Sequence, residues 1–159
     1  MYIFIINGGF IISIILVPSD GSKTALKAAA YAVDLARQLK ASIIALSVID
    51  KRSFTIQTIP ASETARHTIE PIEDYLREAA AGYVGEIKKL CDKSGVASKI
   101  STRIGHPVEE IVKEAKRSKA NLIVMGSHGS SALSAIVLGS VSYGVIHNNK
   151  GIPILIVRS

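Results

Sequence analysis

Residues 120–142 read ANLIVMGSHGSSALSAIVLGSVS. The stretch opens on an apolar run, Leu122-Ile123-Val124-Met125, which ends at Gly126. Gly129 follows after two residues, and Gly139-Ser140 after nine more. An apolar run stopped by glycine reads as a buried strand emptying into a loop. Ser127, Ser130, Ser131 and Ser134 fill much of the interval, and a helix is expected to start near Gly139. Glycines let a backbone approach a ligand closely, and a helix N-terminus adds free N–H groups and a positive dipole end. Two glycine turns and a helix start therefore suit a phosphate. A plain glycine-rich surface loop is the alternative that spacing alone leaves open. The stretch is neither a P-loop, since no Gly-Lys-Ser/Thr follows, nor a GxGxxG fingerprint.

The flanking chain alternates between two periods. Ile11–Val17 is a largely β-branched run, apolar except at Ser13 and stopped by Pro18, as a fully buried strand would be. Ser19-Asp20-Gly21-Ser22 is a turn, with Asp20 or Ser22 available as N-cap. A helix is expected over Lys23–Lys40, its apolar face made by Leu26, Ala29, Ala30, Val33, Ala36 and Leu39. Ser42–Ile49 is a second strand, completing a βαβ unit with a right-handed crossover. Asp50–Glu70 has no sustained period and reads as a surface excursion, a lid or a partner surface. Pro71 suits the first position of a helix running to about Lys93, with Ile72, Tyr75, Leu76, Ala79, Tyr83, Ile87 and Leu90 on its apolar face. Gly82 and Gly85 inside that helix cost roughly 1 kcal/mol each against Ala.

Val96–Ile104 is a more polar strand, as at a sheet edge, and Pro107–Lys119 a helix with Val108, Ile111, Val112 and Ala115 inward. After the strand Leu122–Gly126 come a helix from about Gly139 to Asn149 and a last strand, Ile152–Val157. This order predicts an α/β fold, a three-layer α/β/α sandwich around a five-stranded parallel sheet. Ligands in such folds bind beyond the strand C-termini, where the winding reverses. Two exits are chemically equipped: Pro18-Ser19-Asp20 and Gly126–Gly129.

The chain has 159 residues and reads as one domain, 11–159, after an N-terminal extension, 1–10. The apolar start is broken by Asn7-Gly8-Gly9 and lacks a basic n-region, which argues against a membrane span or signal peptide. Asn-Gly is also a hairpin signal, but a hairpin there conflicts with a central place for the next strand. The extension is read instead as an appendage that pairs elsewhere or with another chain. The net charge of +6 favours anionic partners. Its lysines and arginines fall among glutamates on helical faces without interleaved aromatics, which disfavours a nucleic-acid surface. The single Cys91 excludes an intrachain disulfide, fits a reducing cytoplasm, and reads as a small buried hydrophobe. His67, His106, His128 and His147 show no metal-ligand spacing.

The spacing G-x2-G-x9-G-S at Gly126, Gly129, Gly139 and Ser140, on a strand ending Met-Gly-Ser-His-Gly, resembles the nucleotide-binding motif of the universal stress protein family. Val17–Asp20, Leu46–Asp50 and Pro153–Val157 match in order, so the resemblance spans Ile14 to Val157. The N-terminal extension departs from the family pattern. The resemblance implies strand order 3-2-1-4-5, as in Rossmann-like, adenine nucleotide alpha hydrolase-like folds, with the two equipped loops facing across one crevice. It implies ATP as ligand, with Pro18, Ser19, Asp20 and Val48 around the nucleoside. Met125, Gly126, His128, Gly129, Gly139, Ser140, Val141 and Ser142 would line the phosphate side. Mg2+ or Mn2+ would be held mainly by the phosphates, and neither a metal site nor a catalytic residue is assigned.

Chemistry leaves three of these roles open. Asp20 can bond a ribose or adenine amino group, or cap a helix; Val48 can wall a base or be plain core. His128 can touch phosphate or be a solvent-exposed loop residue. The implied function is a cytoplasmic, ATP-binding sensor or regulator in the stress response, with an unidentified protein partner. The alternative, an enzyme that hydrolyses ATP slowly or transfers an adenylyl group, lacks a Walker lysine, an arginine clamp and a convincing general base. The apolar last strand at a sheet edge, 152–158, predicts a homodimer.

Overall fold

Ile15, Leu16 and Val17 have no solvent exposure, and the strand they form is the middle of the sheet. The computed structural model describes residues 12–50, 52, 66–128 and 138–158. The extension 1–10, most of the 50–70 excursion, and Gly129 lie outside the described residues. The strands are β1 (Ile14–Pro18), β2 (Ser42–Asp50), β3 (Ser98–Gly105), β4 (Leu122–Gly126) and β5 (Ile154–Val157). The helices among the described residues are α1 (Lys23–Leu39), α2 (Arg66–Ser94), α3 (Pro107–Arg117) and α4 (Ser140–Asn148). All pairings are parallel, in the order β3-β2-β1-β4-β5. The fold class and strand order are therefore those the sequence and its resemblance predict.

Two apolar layers sandwich the sheet. Ile15, Val17, Ile43, Ala45 and Val124 pack beneath Ala28, Ala32 and Ala36 of α1 and Val84, Ile87 and Cys91 of α2. Leu16, Leu46, Ile123 and Met125 point the other way, toward Val108, Ile111, Val112 and Ala115 of α3 and Val145 of α4. This alternation within continuous apolar strands is what a parallel sheet covered on both faces requires.

Several details differ from the sequence reading. β1 runs from Ile14, the expected start at Ile11 lying outside the described residues, and the Asn121 side-chain oxygen accepts the N–H groups of Ser13 and Ile14, both at 3.0 Å, at its start. On α1 the buried line is Thr24, Ala25, Ala28, Ala29, Ala32, Val33 and Ala36, whereas Ala30 and Leu39 are exposed. Alanines face the sheet because they allow the closest approach, and Leu39 sits in the last turn. α2 starts at Arg66, so Pro71 does not open it. Its apolar period begins only at Ile72, which hid the earlier turn. Tyr75 is exposed, and the buried stripe runs Ala80, Val84, Ile87, Cys91. Burial pushes the Cys91 thiol up from its ordinary range, keeping it protonated. Glu114 is a buried polar residue that the apolar pattern of α3 does not reveal; Arg103 of β3 donates to it at 3.1 Å, and Arg117 also pairs with it.

Gly144 lets α4 cross α3 closely: a Cβ there would lie 2.6 Å from Val108 Cγ2. Ala at 144 gains helix propensity of about 1 kcal/mol but overpacks that crossing. Gly144→Ala is expected to lower stability by about 1–2 kcal/mol net, and Val108→Ala in the same chain to recover part of the loss. Urea denaturation of the two single variants and the double variant measures the coupling.

Candidate functional site

The strand order reverses between β1 and β4, and a cavity of about 160 Å³ opens there beyond the strand C-termini. Pro18, Ser19 and Asp20 line it from the β1–α1 turn, and Leu46 and Val48 from β2. Met125, Gly126 and His128 contribute from the end of β4, and Ser140, Val141 and Ser142 from the start of α4. The structure thus brings together ten of the residues singled out in the sequence. Gly139 stands behind this lining, and Gly129 lies outside the described residues. Ala25, Pro107 and Ile111 also line the cavity, together with Leu46. From the sequence Ile111 reads as core and Pro107 as a helix start; both assignments hold, and only the packing of α3 against β2 brings them to the cavity wall.

The β1–α1 turn is built by a glycine. Gly21 has φ 75°, and a Cβ on it would fall 2.2 Å from the Tyr83 ring of α2. The ring packs against bare backbone and so shapes the turn. Ser22, not Asp20, caps α1, its Oγ accepting from the Ala25 N–H at 3.2 Å. Asp20 instead accepts the Ser22 N–H at 3.1 Å and is exposed at the cavity. Ser19 is buried, its N–H donating to Leu46 O at 2.8 Å.

The β4 exit is held at both ends. Thr24 Oγ1 donates to the His128 carbonyl at 2.5 Å, tying the exit to α1. The Gly139 N–H donates to Ser127 O at 2.7 Å, so the chain entering and leaving the glycine segment is clamped. A Cβ on Gly139 would lie 3.0 Å from His128 Cα. Within α4 the Tyr143 N–H bonds Gly139 O at 2.9 Å, which leaves the N–H groups of Ser140, Val141 and Ser142 in the first turn without an intrahelical acceptor. The Ser142 hydroxyl donates to Gly126 O at 2.8 Å and is buried, so its free donor toward the cavity is its backbone N–H. Ser127 Oγ and His128 Nδ1 are 2.9 Å apart.

At the C-terminal end of β2, Arg52 donates to the Asp50 carboxylate at 3.0 and 3.1 Å. That guanidinium holds the Asp50 carboxyl below its usual range, and His106 adds a smaller effect of the same sign. Among the described residues no group of three His, Cys, Asp or Glu is arranged to hold a metal ion. No described helix is long and apolar enough to cross a membrane.

The model of the universal stress protein family matches residues 12–158. Universal stress protein MJ0531 of Methanocaldococcus jannaschii is 35% identical over 152 residues, covering 96% of this chain and 85% of the relative. Universal stress protein MJ0577 of the same organism is 34% identical over 153 residues, with 91% and 93% covered. The solved structure of MJ0577 superposes with a TM-score of 0.76 at 31% identity, covering 94% of this chain and 98% of that one. A universal stress protein solved in complex with cAMP gives a TM-score of 0.63 at 26% identity, covering 92% and 97%. Matched along nearly its full described length in both sequence and fold, this chain belongs to the universal stress protein family.

Proposed function

We propose that the chain binds an adenine nucleotide, ATP in particular, and works as a cytoplasmic, nucleotide-dependent sensor or regulator in the stress response. One observation carries this reading: an apolar slot and a set of anion donors meet at the β1/β4 reversal. Val48, Leu46, Pro107, Ile111 and Met125 offer walls for a base. Asp20 offers a carboxylate to a ribose or an adenine amino group. The first-turn N–H groups of α4, the Ser140 hydroxyl and the His128 ring offer donors to phosphate. The similar protein solved with cAMP supports the nucleotide class. A divalent ion would ride on the phosphates of ATP, with the chain adding no dedicated ligand set among its described residues.

Gly139→Val puts a branched side chain against His128 Cα and should force the clamp between Ser127 O and the Gly139 N–H apart. Calorimetry is expected to show ATP binding by the wild type and a loss of at least about tenfold in the variant, or about 1.4 kcal/mol, with an unchanged circular dichroism spectrum. Wild-type protein that fails to bind millimolar ATP would overturn the reading.

Binding without rapid chemistry is the second part of the proposal. Among the described cavity-lining residues, Asp20 and His128 are the ones able to move a proton, and neither arginine nor lysine lines the cavity. Phosphoryl transfer depends on positive groups that stabilise the transferred phosphate. Phosphate release by purified protein is expected well below one turnover per second; several turnovers per second would promote the alternative of an ATP-hydrolysing or adenylyl-transferring enzyme.

The assembly we propose is a homodimer through β5. Pro153 O and Val157 O accept N–H groups of β4, from Ile123 at 3.0 Å and Ser127 at 2.9 Å. Within a parallel strand, alternate residues turn their N–H and C=O to opposite sides. Ile154 and Ile156 therefore direct theirs outward from the sheet edge, where a second β5 can pair. Leu155 packs with the α1 and α2 layer, so a charge there would unfold the subunit rather than split a dimer. Ile156→Pro removes one outward N–H and spares the ladder to β4. Light scattering at tens of micromolar is expected to give a dimer for the wild type and a smaller mass for this variant.

A further inference from the structure

We propose that His128 makes nucleotide binding respond to pH, its imidazolium form acting as the one side-chain cation that lines the phosphate end of the cavity among the described residues. This rests on the nucleotide reading above. Of the fourteen described residues lining the cavity, Asp20 and His128 alone carry ionisable side chains. The undescribed interval 129–137, GSSALSAIV, contains no ionisable side chain. Among the described lining residues, the positive charge that meets a phosphate thus depends on one ring, and imidazole changes charge between about pH 5 and 8.

The ring's setting allows both charge states. Ser127 Oγ lies 2.9 Å from His128 Nδ1, and Ser127 is buried. A hydroxyl can donate to a neutral ring nitrogen or accept from a protonated one. Ser127 can therefore hold the ring in place through the proton change, leaving Nε2 for the ligand. The backbone of His128 is also fixed, by the Thr24 hydroxyl on its carbonyl and by Gly139 against its Cα. When the ring gains a proton, a neutral donor becomes a charge-assisted one without relocating.

Among the described residues around the cavity, Arg52 after β2 is paired with Asp50, and neither lines the cavity. Asp20 is the carboxylate from the β1–α1 turn, and Lys23 is exposed at the start of α1. His106 is exposed ahead of Pro107 on α3, and β2 and β4 contribute only apolar or small residues to the lining. On α4 the first ionisable groups are Tyr143, an exposed residue, and His147, stacked on each other at 3.9 Å. Arg158 follows Val157, whose carbonyl accepts the Ser127 N–H, and is exposed.

The sign follows from linkage: the protonated ring binds phosphate better, so affinity rises as pH falls and binding takes up protons. Protonation of the terminal phosphate of ATP opposes this, and it is common to every variant of the protein. The test is ATP calorimetry from pH 8 to 5.5 on wild type and His128→Gln, in buffers of different ionisation enthalpy, with adenosine as the phosphate-free probe. Relative to His128→Gln, the wild type should gain about tenfold in ATP affinity across this range and show additional proton uptake on binding. Adenosine should show no such difference. As a readout independent of the variant, the NMR titration midpoint of the wild-type His128 ring should move to higher pH on adding ATP. Identical pH profiles in the two proteins, or an unmoved midpoint, with ATP binding intact, would overturn this inference and leave the nucleotide reading standing. Absence of ATP binding at every pH would overturn both.

Discussion

The contact between the end of β4 and the start of α1 is the constraint from which the site follows. Gly126 lies so near this helix that a Cβ would come within 3.0 Å of the Thr24 backbone. The missing side chain lets the β4 exit press on the first turn of α1, and Thr24 then reaches the His128 carbonyl. β1 and β4 are neighbours by their pairing at Ile15–Leu122 and Leu16–Ile123. That pairing alone would bring two strand ends together. The glycine and the threonine hydroxyl convert proximity into a fixed relation between the exit of β4 and the start of α1.

Stability and site geometry share the same residues on the other side of the cavity. α3 buries Val108, Ile111, Val112 and Ala115 against the sheet. Its first turns also present Pro107 and Ile111 to the cavity. Further along, Glu114 receives Arg103 from β3 and Arg117 from its own helix, so a buried carboxylate sets how α3 lies across the edge strand. A buried charge is tolerated because its partners satisfy it, and its geometry is correspondingly specific. The bare backbone of Gly144 brings α4 onto Val108, which fixes where the first turn of α4 points. The first-turn N–H groups of α4 are therefore placed by the packing of α4 on α3.

How much of this could be read from the chain depends on distance along it. Strand and helix existence, the burial of Cys91 and the inward face of α3 all follow from periods spanning a few residues. The face of α1 was misplaced by about one position because its many alanines give a weak contrast, and contact with the sheet alone selects Ala28, Ala32 and Ala36. The first turn of α2 escaped notice because the apolar period starts only at Ile72. Most cavity residues were found because they sit at strand exits or in the glycine motif. Pro107 and Ile111 are not recognisable as cavity-lining from the sequence because nothing local distinguishes a core residue from one at the wall of a cleft.

The sequence by itself determined the alternation of strands and helices, the two chemically equipped strand exits and, through the glycine spacing, the family. These are properties of local pattern, in which each residue's period, turn chemistry or spacing speaks for itself. Only the tertiary structure decided which groups are spent and which remain available. Ser142 has its hydroxyl on Gly126 O, Asp20 has yielded the helix cap to Ser22, and Ser127 lies against the His128 ring. Hydrogen-bond partners such as Thr24 and the His128 carbonyl, 104 residues apart, are assigned only when the sheet brings them together, and no period along the chain encodes that assignment.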